Sequence, residues 1–235
     1  MSGLLAPDPG SDLLDARLGG RCAPAPEVLD GAHRRARIAQ GMLVVHGLVL
    51  VGNLGWYALF PATDDTLVLV ATSVVYLLTV VAFATWKVEA YRLAPALGGE
   101  PTERTPGWAA GGYFIPIGNL WIPYQIMKEI WDASDPRDVG MDTWAERSGT
   151  LLVVWWALWI SSGFLTQILE RLPVPAVASA GYQVFALVVW GLGVLVTGAA
   201  FLVIRRIDAD QQRLGALLLN AEAEGALAES APQAV

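Results

Sequence analysis

Four long apolar blocks that carry no charged side chain constrain this chain more than any other feature. The first runs from Ile38 to Thr63, 26 residues without Asp, Glu, Lys or Arg. A membrane-spanning helix needs about 20 apolar residues to cross roughly 30 Å of hydrocarbon. The blocks therefore predict four spans, at about residues 38–60, 66–86, 150–169 and 182–204. The expected fold class is all-α, an integral membrane four-helix bundle.

The composition agrees with a single membrane domain and two tails. Only 16% of the 235 residues are charged, whereas soluble domains have about 25%. We expect a flexible cytoplasmic N-terminal tail over residues 1–34, a four-span membrane domain over 35–210 and a cytoplasmic C-terminal tail over 211–235. Helix-forming residues from Arg205 to Leu219 predict that the fourth helix continues beyond its span.

The lysine and arginine residues predict the orientation of the spans. Of the 15 in the chain, only Arg171 falls in a loop on the side opposite to both ends. Loops rich in Lys and Arg are retained on the cytoplasmic side of a membrane. The sequence therefore predicts that both termini are cytoplasmic. The expected location is the inner (plasma) membrane, as a multi-pass protein.

A further uncharged stretch of 23 residues, Thr105 to Met127, lies between the second and third spans. A fifth crossing here would move the following basic residues to the wrong side. Three prolines, Pro106, Pro116 and Pro123, and several glycines would also interrupt a regular helix repeatedly. The pattern favours a broken re-entrant or interfacial segment, over about residues 108–133, between helices 2 and 3.

The second half of this segment has the pattern of an amphipathic helix. Asn119 is a favourable N-cap residue, which predicts a helix from Leu120 to about Ala133. At 100° per residue the apolar side chains fall on one face. That face comprises Leu120, Pro123, Tyr124, Ile126, Met127, Ile130 and Trp131, and the opposite face comprises Gln125, Lys128, Glu129 and Asp132.

The same segment resembles a known family. The runs GWAAGGYFIPIGNLWIPYQIMKEIWDASDP, at residues 107–136, and YRLAPALG, at 91–98, are similar to the bacterial membrane family catalogued as domain of unknown function 4328. Members place a Phe-x-Pro-x-x-Asn-Leu-Trp-x-Pro-Tyr-Gln signature between the second and third of four spans. Residues matching it are Phe114, Pro116, Asn119, Leu120, Trp121, Pro123, Tyr124 and Gln125. The resemblance spans roughly residues 35–210 and implies no established activity. One departure is Leu93, where the family pattern has an asparagine.

Two polar residues in the first span are candidate functional groups. His46 and Asn53 are seven residues apart and therefore share one face of the helix. An ionisable group inside a membrane is a functional candidate because its burial is costly. The alternative is that neutral His46 bonds a hydroxyl of the second span, at Thr72, Ser73 or Thr79, and only holds the bundle together.

Other chemistry is not indicated. The chain has one cysteine and two histidines, and it contains none of the common hydrolase, phosphate-binding or metal motifs. We therefore expect no enzyme activity, no catalytic residue, no metal site and no cofactor. Nucleic-acid binding is not expected either, because the net charge is -7 and the basic residues lie close to the membrane.

Two functions remain open. The favoured one is a non-enzymatic interaction or accessory subunit at the cytoplasmic leaflet. The alternative is a small transporter or channel module that uses the Gly/Pro-broken segment and the face of His46 and Asn53. The candidate binding or gating residues are His46, Asn53, Phe114, Pro116, Asn119, Trp121, Pro123, Tyr124 and Gln125. The expected partners are membrane lipids and either another membrane protein or a second copy of this chain.

Overall fold

A computed structural model describes residues 21–59, 66–98, 100–136, 149–171 and 180–230. Helices dominate these ranges, and the described residues include no strand. The helices are α1 (Pro26–Leu59), α2 (Thr66–Gly98), the single turn α3 (Trp108–Gly111), α4 (Ile122–Ala133), α5 (Thr150–Glu170) and α6 (Ala180–Ser230). Two 3-10 turns, Gly112–Phe114 and Gly118–Leu120, separate α3 from α4.

Four of these helices, α1, α2, α5 and α6, are long and apolar enough to cross a membrane. Many of their large apolar side chains point outward, including Leu48, Leu67 and Leu195. Outward apolar side chains suit a bundle whose solvent is lipid rather than water. The expected all-α fold class with four apolar spans is therefore confirmed, and the chain is a multi-pass membrane protein.

The bundle is organised around α1, which packs against both α2 and α6, while α5 packs on α6. The amphipathic α4 lies along α2 and also contacts α5. As expected for its apolar face, Ile126, Met127, Ile130 and Trp131 are buried. They join a core that contains Trp86 and Tyr91 of α2, Trp155 of α5 and Ile204 of α6. This core fixes the broken segment against the bundle.

Three helices continue beyond their predicted spans on the same side of the bundle, and we call these extensions the stalk. It comprises residues 26–37 of α1, 87–98 of α2 and 205–230 of α6. A second, smaller apolar cluster holds it together, formed by Leu29, Ala32, Leu93, Leu97, Leu214 and Leu218. Polar contacts add to this cluster, since His33 Nδ1 lies 2.9 Å from Asp208 Oδ1 and Gln211 Nε2 donates to the Ala90 carbonyl at 3.3 Å.

Parts of both expected tails are helical and belong to the stalk. Residues 26–34 were expected in a flexible tail, but they form the first turns of α1 because Leu29 and Ala32 are buried against α2 and α6. Pro26 suits a helix start because its missing N–H would have no intrahelical partner there. On the C-terminal side α6 is helical through Ser230. The remaining parts of the expected tails, 1–20 and 231–235, lie outside the described residues.

Candidate functional site

The broken segment folds tightly around one side chain, that of Ile122. A Cβ atom on Gly112 would lie 2.7 Å from Ile122 Cγ2, and one on Gly118 would lie 2.8 Å from Ile122 Cδ1. Only glycine therefore permits this close approach at either position. The fold leaves residues 114–117 as an exposed apolar tip, in which Phe114 is 86% and Ile117 is 84% exposed.

Replacing Gly112 by alanine is expected to destabilise the protein by about 1–3 kcal/mol, because the new methyl group overpacks against the stiff branched side chain of Ile122. The neighbouring Gly111 is the matched control. A Cβ there has nothing within 4 Å, and alanine favours a helix over glycine by about 1 kcal/mol. Thermal unfolding in mild detergent should separate the two variants. Equal midpoints would mean that the segment is not tightly packed around Ile122.

Lys87, in the first turn of the stalk on α2, is fully buried under the broken segment. Its Nζ donates to the Pro123 carbonyl at 3.1 Å and to the Tyr113 hydroxyl at 3.3 Å. The amine also lies 4.7 Å from the centre of the Tyr113 ring, a favourable cation–π distance. Two of the three N–H donors of the amine therefore have acceptors, and these contacts attach α2 to both sides of the segment's tip.

Among the described residues, no carboxylate lies within ion-pairing distance of the Lys87 amine. Burial raises the pKa of the Tyr113 hydroxyl far above its ordinary value, so that ring remains neutral and supplies no counter-charge. A lysine on this helix would usually place its amine in water by snorkelling, but the Lys87 amine is held beneath the broken segment by Tyr113 and Pro123.

An aromatic chain continues from the Lys87 site along α5. The Tyr113 ring packs edge-on against Trp159, with centroids 5.9 Å apart, and Tyr124 lies 5.9 Å from Trp156. Trp156 and Trp159 are themselves stacked at 4.8 Å. At 1.5 Å per residue, these tryptophans lie about 9 and 14 Å along α5 from its first residue, Thr150. The segment thus reaches positions well inside the apolar length of α5.

A second polar network closes the stalk side of the segment. The Tyr91 hydroxyl donates to Glu129 Oε2 at 2.6 Å and accepts from the Arg104 backbone N–H at 3.2 Å. The Arg104 guanidinium donates to Gln125 Oε1 at 2.9 Å and lies 3.5 Å from Glu129 Oε1. Four residues from α2, α4 and the connection before α3 are therefore joined. This network orients α4 and gives Gln125, a residue of the signature, a defined partner.

The structure divides the predicted site residues into separate groups. Asn53 Nδ2 donates to Thr72 Oγ1 at 2.8 Å, and the His46 ring lies 5.6 Å from that of Tyr76. Thr72 is 15 residues before Lys87, about 22 Å along α2, so His46 and Asn53 do not meet the broken segment. The hydrogen bond to Thr72 that was considered for His46 is made instead by Asn53.

The signature residues differ in their exposure. Phe114, Pro116 and Trp121 are exposed, Tyr124 and Gln125 are partly buried and Pro123 is buried.

The expected capping role of Asn119 is wrong. Asn119 lies inside the 3-10 turn Gly118–Leu120, its N–H bonds the Ile115 carbonyl at 2.6 Å, and α4 begins only at Ile122. Trp121 occupies the cap position without a side-chain cap. The Asn119 Oδ1 atom is buried and has no hydrogen-bond partner within the described residues. Within the described part of the chain, the Asn119 side-chain oxygen is therefore a free acceptor at the bend of the segment.

Lys87, Tyr113 and the network of Tyr91 and Glu129 were not among the sequence candidates. A signal for Lys87 was present, because Ala90, Tyr91 and Ala94 follow it at helical spacing on one apolar face. A lysine that begins such a face is placed toward the bundle interior. Helical spacing could not predict the contacts of Lys87 with Tyr113 and Pro123, because those residues lie 26 and 36 positions further along the chain.

Comparison with known proteins identifies the same family that the signature in the broken segment resembles. No curated protein and no solved structure gives a significant match to this chain. The family described as Domain of unknown function (DUF4328) matches residues 62–209, which is more than half of the chain and includes α2, the broken segment, α5 and much of α6. The suspected family is confirmed, and the chain belongs to the DUF4328 family.

Proposed function

We propose that this membrane protein is a non-enzymatic accessory subunit that binds a partner protein through its stalk. The exposed end of α6 is the observation that carries the proposal. Leu218 is the last residue of α6 in the apolar cluster of the stalk, and Glu222 accepts a hydrogen bond from the Ala23 backbone N–H at 2.8 Å. Residues 223–227 beyond it are helical and exposed. This exposed turn carries one large apolar side chain, Leu227, which is 70% exposed and could serve as an anchor in a groove of another chain.

Native mass spectrometry of the gently extracted full-length protein tests this proposal, with two variants of Gly225 as a matched pair. Gly225 is exposed, and a Cβ there meets nothing within 4 Å. Proline should break the end of α6, whereas alanine should preserve it. We expect the wild type and Gly225→Ala to retain a partner chain in fixed stoichiometry and Gly225→Pro to lose it. A protein extracted only as copies of itself would contradict the proposal.

The proposed location is the inner (plasma) membrane, with the stalk and both termini in the cytoplasm. The distribution of lysine and arginine supports this orientation. Cysteine labelling in a Cys22→Ser background tests it, because Cys22 is the only cysteine in the chain. Lys128→Cys should be labelled from the cytoplasmic side, since the Lys128 side chain is exposed on α4. Labelling only from outside would overturn the orientation.

The same background tests whether residues 114–117 enter the bilayer as a re-entrant element. Phe114 and Ile117 are more than four-fifths exposed on the protein itself. We therefore expect Phe114→Cys and Ile117→Cys to be protected from a water-soluble reagent in intact membranes and to react once detergent replaces the lipid. Rapid labelling of both positions in the intact membrane would place the tip in water.

A small transport module is the second candidate function, and the burial of Lys87 is the observation that favours it. Buried ionisable groups beside broken helices mark ion and substrate sites in many membrane transporters. Flux into liposomes that hold the purified protein tests this candidate. Selective flux that is lost in both Lys87→Met and Asn119→Leu, but kept in Gly111→Ala, would favour transport over the accessory-subunit proposal.

A further inference from the structure

A groove opens where α1, α2 and the short α3 meet, at the boundary between the apolar bundle and the stalk. Its volume is about 210 Å³, and it is lined by Arg35, Ala84, Thr85, Val88, Glu89, Arg92 and Ala110. Pockets that enclose a whole small ligand are larger, about 300–1,000 Å³. The groove therefore suits one part of a larger molecule whose remainder lies outside it.

One end of the groove is cationic. The guanidiniums of Arg35, from α1, and Arg92, from α2, each donate to the same Glu89 Oε1 at 2.6 Å. The arginine side chains are 45% and 55% exposed, whereas that of Glu89 is only 14% exposed, so the carboxylate lies beneath them. A guanidinium has five N–H donors. Each arginine therefore retains donors for a further anion, and the three groups together carry one net positive charge.

The other end of the groove is apolar and lies in the membrane region. Ala84 and Thr85 belong to the uncharged part of α2, and Arg92 follows Ala84 by eight residues, about 12 Å along the helix. The Thr85 hydroxyl is occupied by its own helix, where it donates to the Ala82 carbonyl at 3.0 Å. An occupant would therefore meet apolar surface within the bilayer and two guanidiniums just above it.

We propose that this groove binds one anionic phospholipid of the stalk-side leaflet, with its phosphate on Arg35 and Arg92 and an acyl chain against Ala84 and Val88. A phospholipid has the required order of groups along the membrane normal, charged head outside and hydrocarbon inside. Arginine forks match phosphate oxygens in geometry and charge. An anionic headgroup is favoured over a zwitterionic one because the site has a net positive charge. This site is independent of the partner proposed for the stalk.

Native mass spectrometry of the full-length protein in mild detergent tests the site. The probes are phosphatidylglycerol and phosphatidylcholine with identical acyl chains. We expect the wild type to retain phosphatidylglycerol preferentially and Arg35→Gln/Arg92→Gln to lower this retention about 10- to 30-fold, the effect of two guanidinium charges near a lipid headgroup. The matched control is Arg34→Gln/Arg205→Gln, which removes the same charge from exposed positions near the same boundary but outside the groove.

A second variant, Ala84→Phe, fills the apolar end without changing charge, and it should lower retention of the lipid even if the double arginine variant fails to fold. Unchanged retention in either folded groove variant would overturn the proposal. An equal loss in the Arg34/Arg205 control would also overturn it, because it would show general attraction to a basic boundary. Displacement of the lipid by millimolar inorganic phosphate would show an anion site without lipid recognition, which likewise contradicts the proposal.

Discussion

Replacing Leu93 by asparagine is expected to lower the free energy of unfolding by about 3–5 kcal/mol. Leu93 is 1% exposed and packs in the apolar cluster of the stalk with Leu97 and Leu214. The change removes the transfer free energy of a buried leucine, about 1.5–3 kcal/mol. It also buries an amide among apolar neighbours, which costs about 1–3 kcal/mol when hydrogen bonds are not remade.

The thermal midpoint in mild detergent should fall by on the order of 10 °C. Val28→Asn is the control, because Val28 lies beside the same cluster on α1 but is 45% exposed, and exposed substitutions usually change stability by less than about 0.5 kcal/mol. The comparison is informative because both variants introduce the same side chain, one inside the apolar cluster and one at its exposed edge. If Leu93→Asn were as stable as Val28→Asn, the cluster would not hold the stalk together.

The spans and the break between them could be predicted from the sequence because both are local properties. An uncharged window such as Ile38 to Thr63 determines by itself whether a helix is stable in lipid. Prolines and glycines likewise act on the backbone within a few residues, and they interrupt the segment between α2 and α4 as expected. Local signals can also compete. Asn119 is a good cap residue, yet the 3-10 turn around it places the start of α4 at Ile122.

The continuation of α6 into the stalk was predicted, but the apolar cluster of the stalk and the contacts of Lys87 could not be, because each joins distant parts of the chain. Leu29, Leu93 and Leu214 meet only when three helices run past the membrane boundary together. A hydropathy window for any one of them does not contain the other two. In the same way, Lys87 counts as a boundary cation in the sequence, and only the fold brings the Pro123 carbonyl to its amine.

Replacing Lys87 by alanine is expected to destabilise the protein by about 2–5 kcal/mol, the range for truncating a large buried side chain. Lys87 is fully buried, and its stem fills the space between α2 and the broken segment. Lys87→Met is the matched control, because methionine keeps most of this volume and removes the charge. Both variants can be compared by their thermal midpoints in the same detergent.

For Lys87→Met we expect stability within about 1 kcal/mol of the wild type. The variant loses hydrogen bonds to Pro123 and Tyr113, worth about 1 kcal/mol each. It also relieves the cost of burying an ionisable amine that has no ion-pair partner among the described residues, a cost of several kcal/mol. These two effects oppose each other, so the charge itself should contribute little to the net stability of the fold.

The pair of variants therefore separates packing from charge. Loss of partner retention or of flux in a stable Lys87→Met protein would mean that the amine is kept for function at a cost in free energy. If methionine were as destabilising as alanine, the hydrogen bonds of the amine would be the main attachment of the segment to α2. A stable Lys87→Met protein that keeps both partner retention and flux as in the wild type would remove Lys87 from the candidate site. The network of Tyr91, Arg104 and Glu129 would still link α2 to α4 through polar contacts.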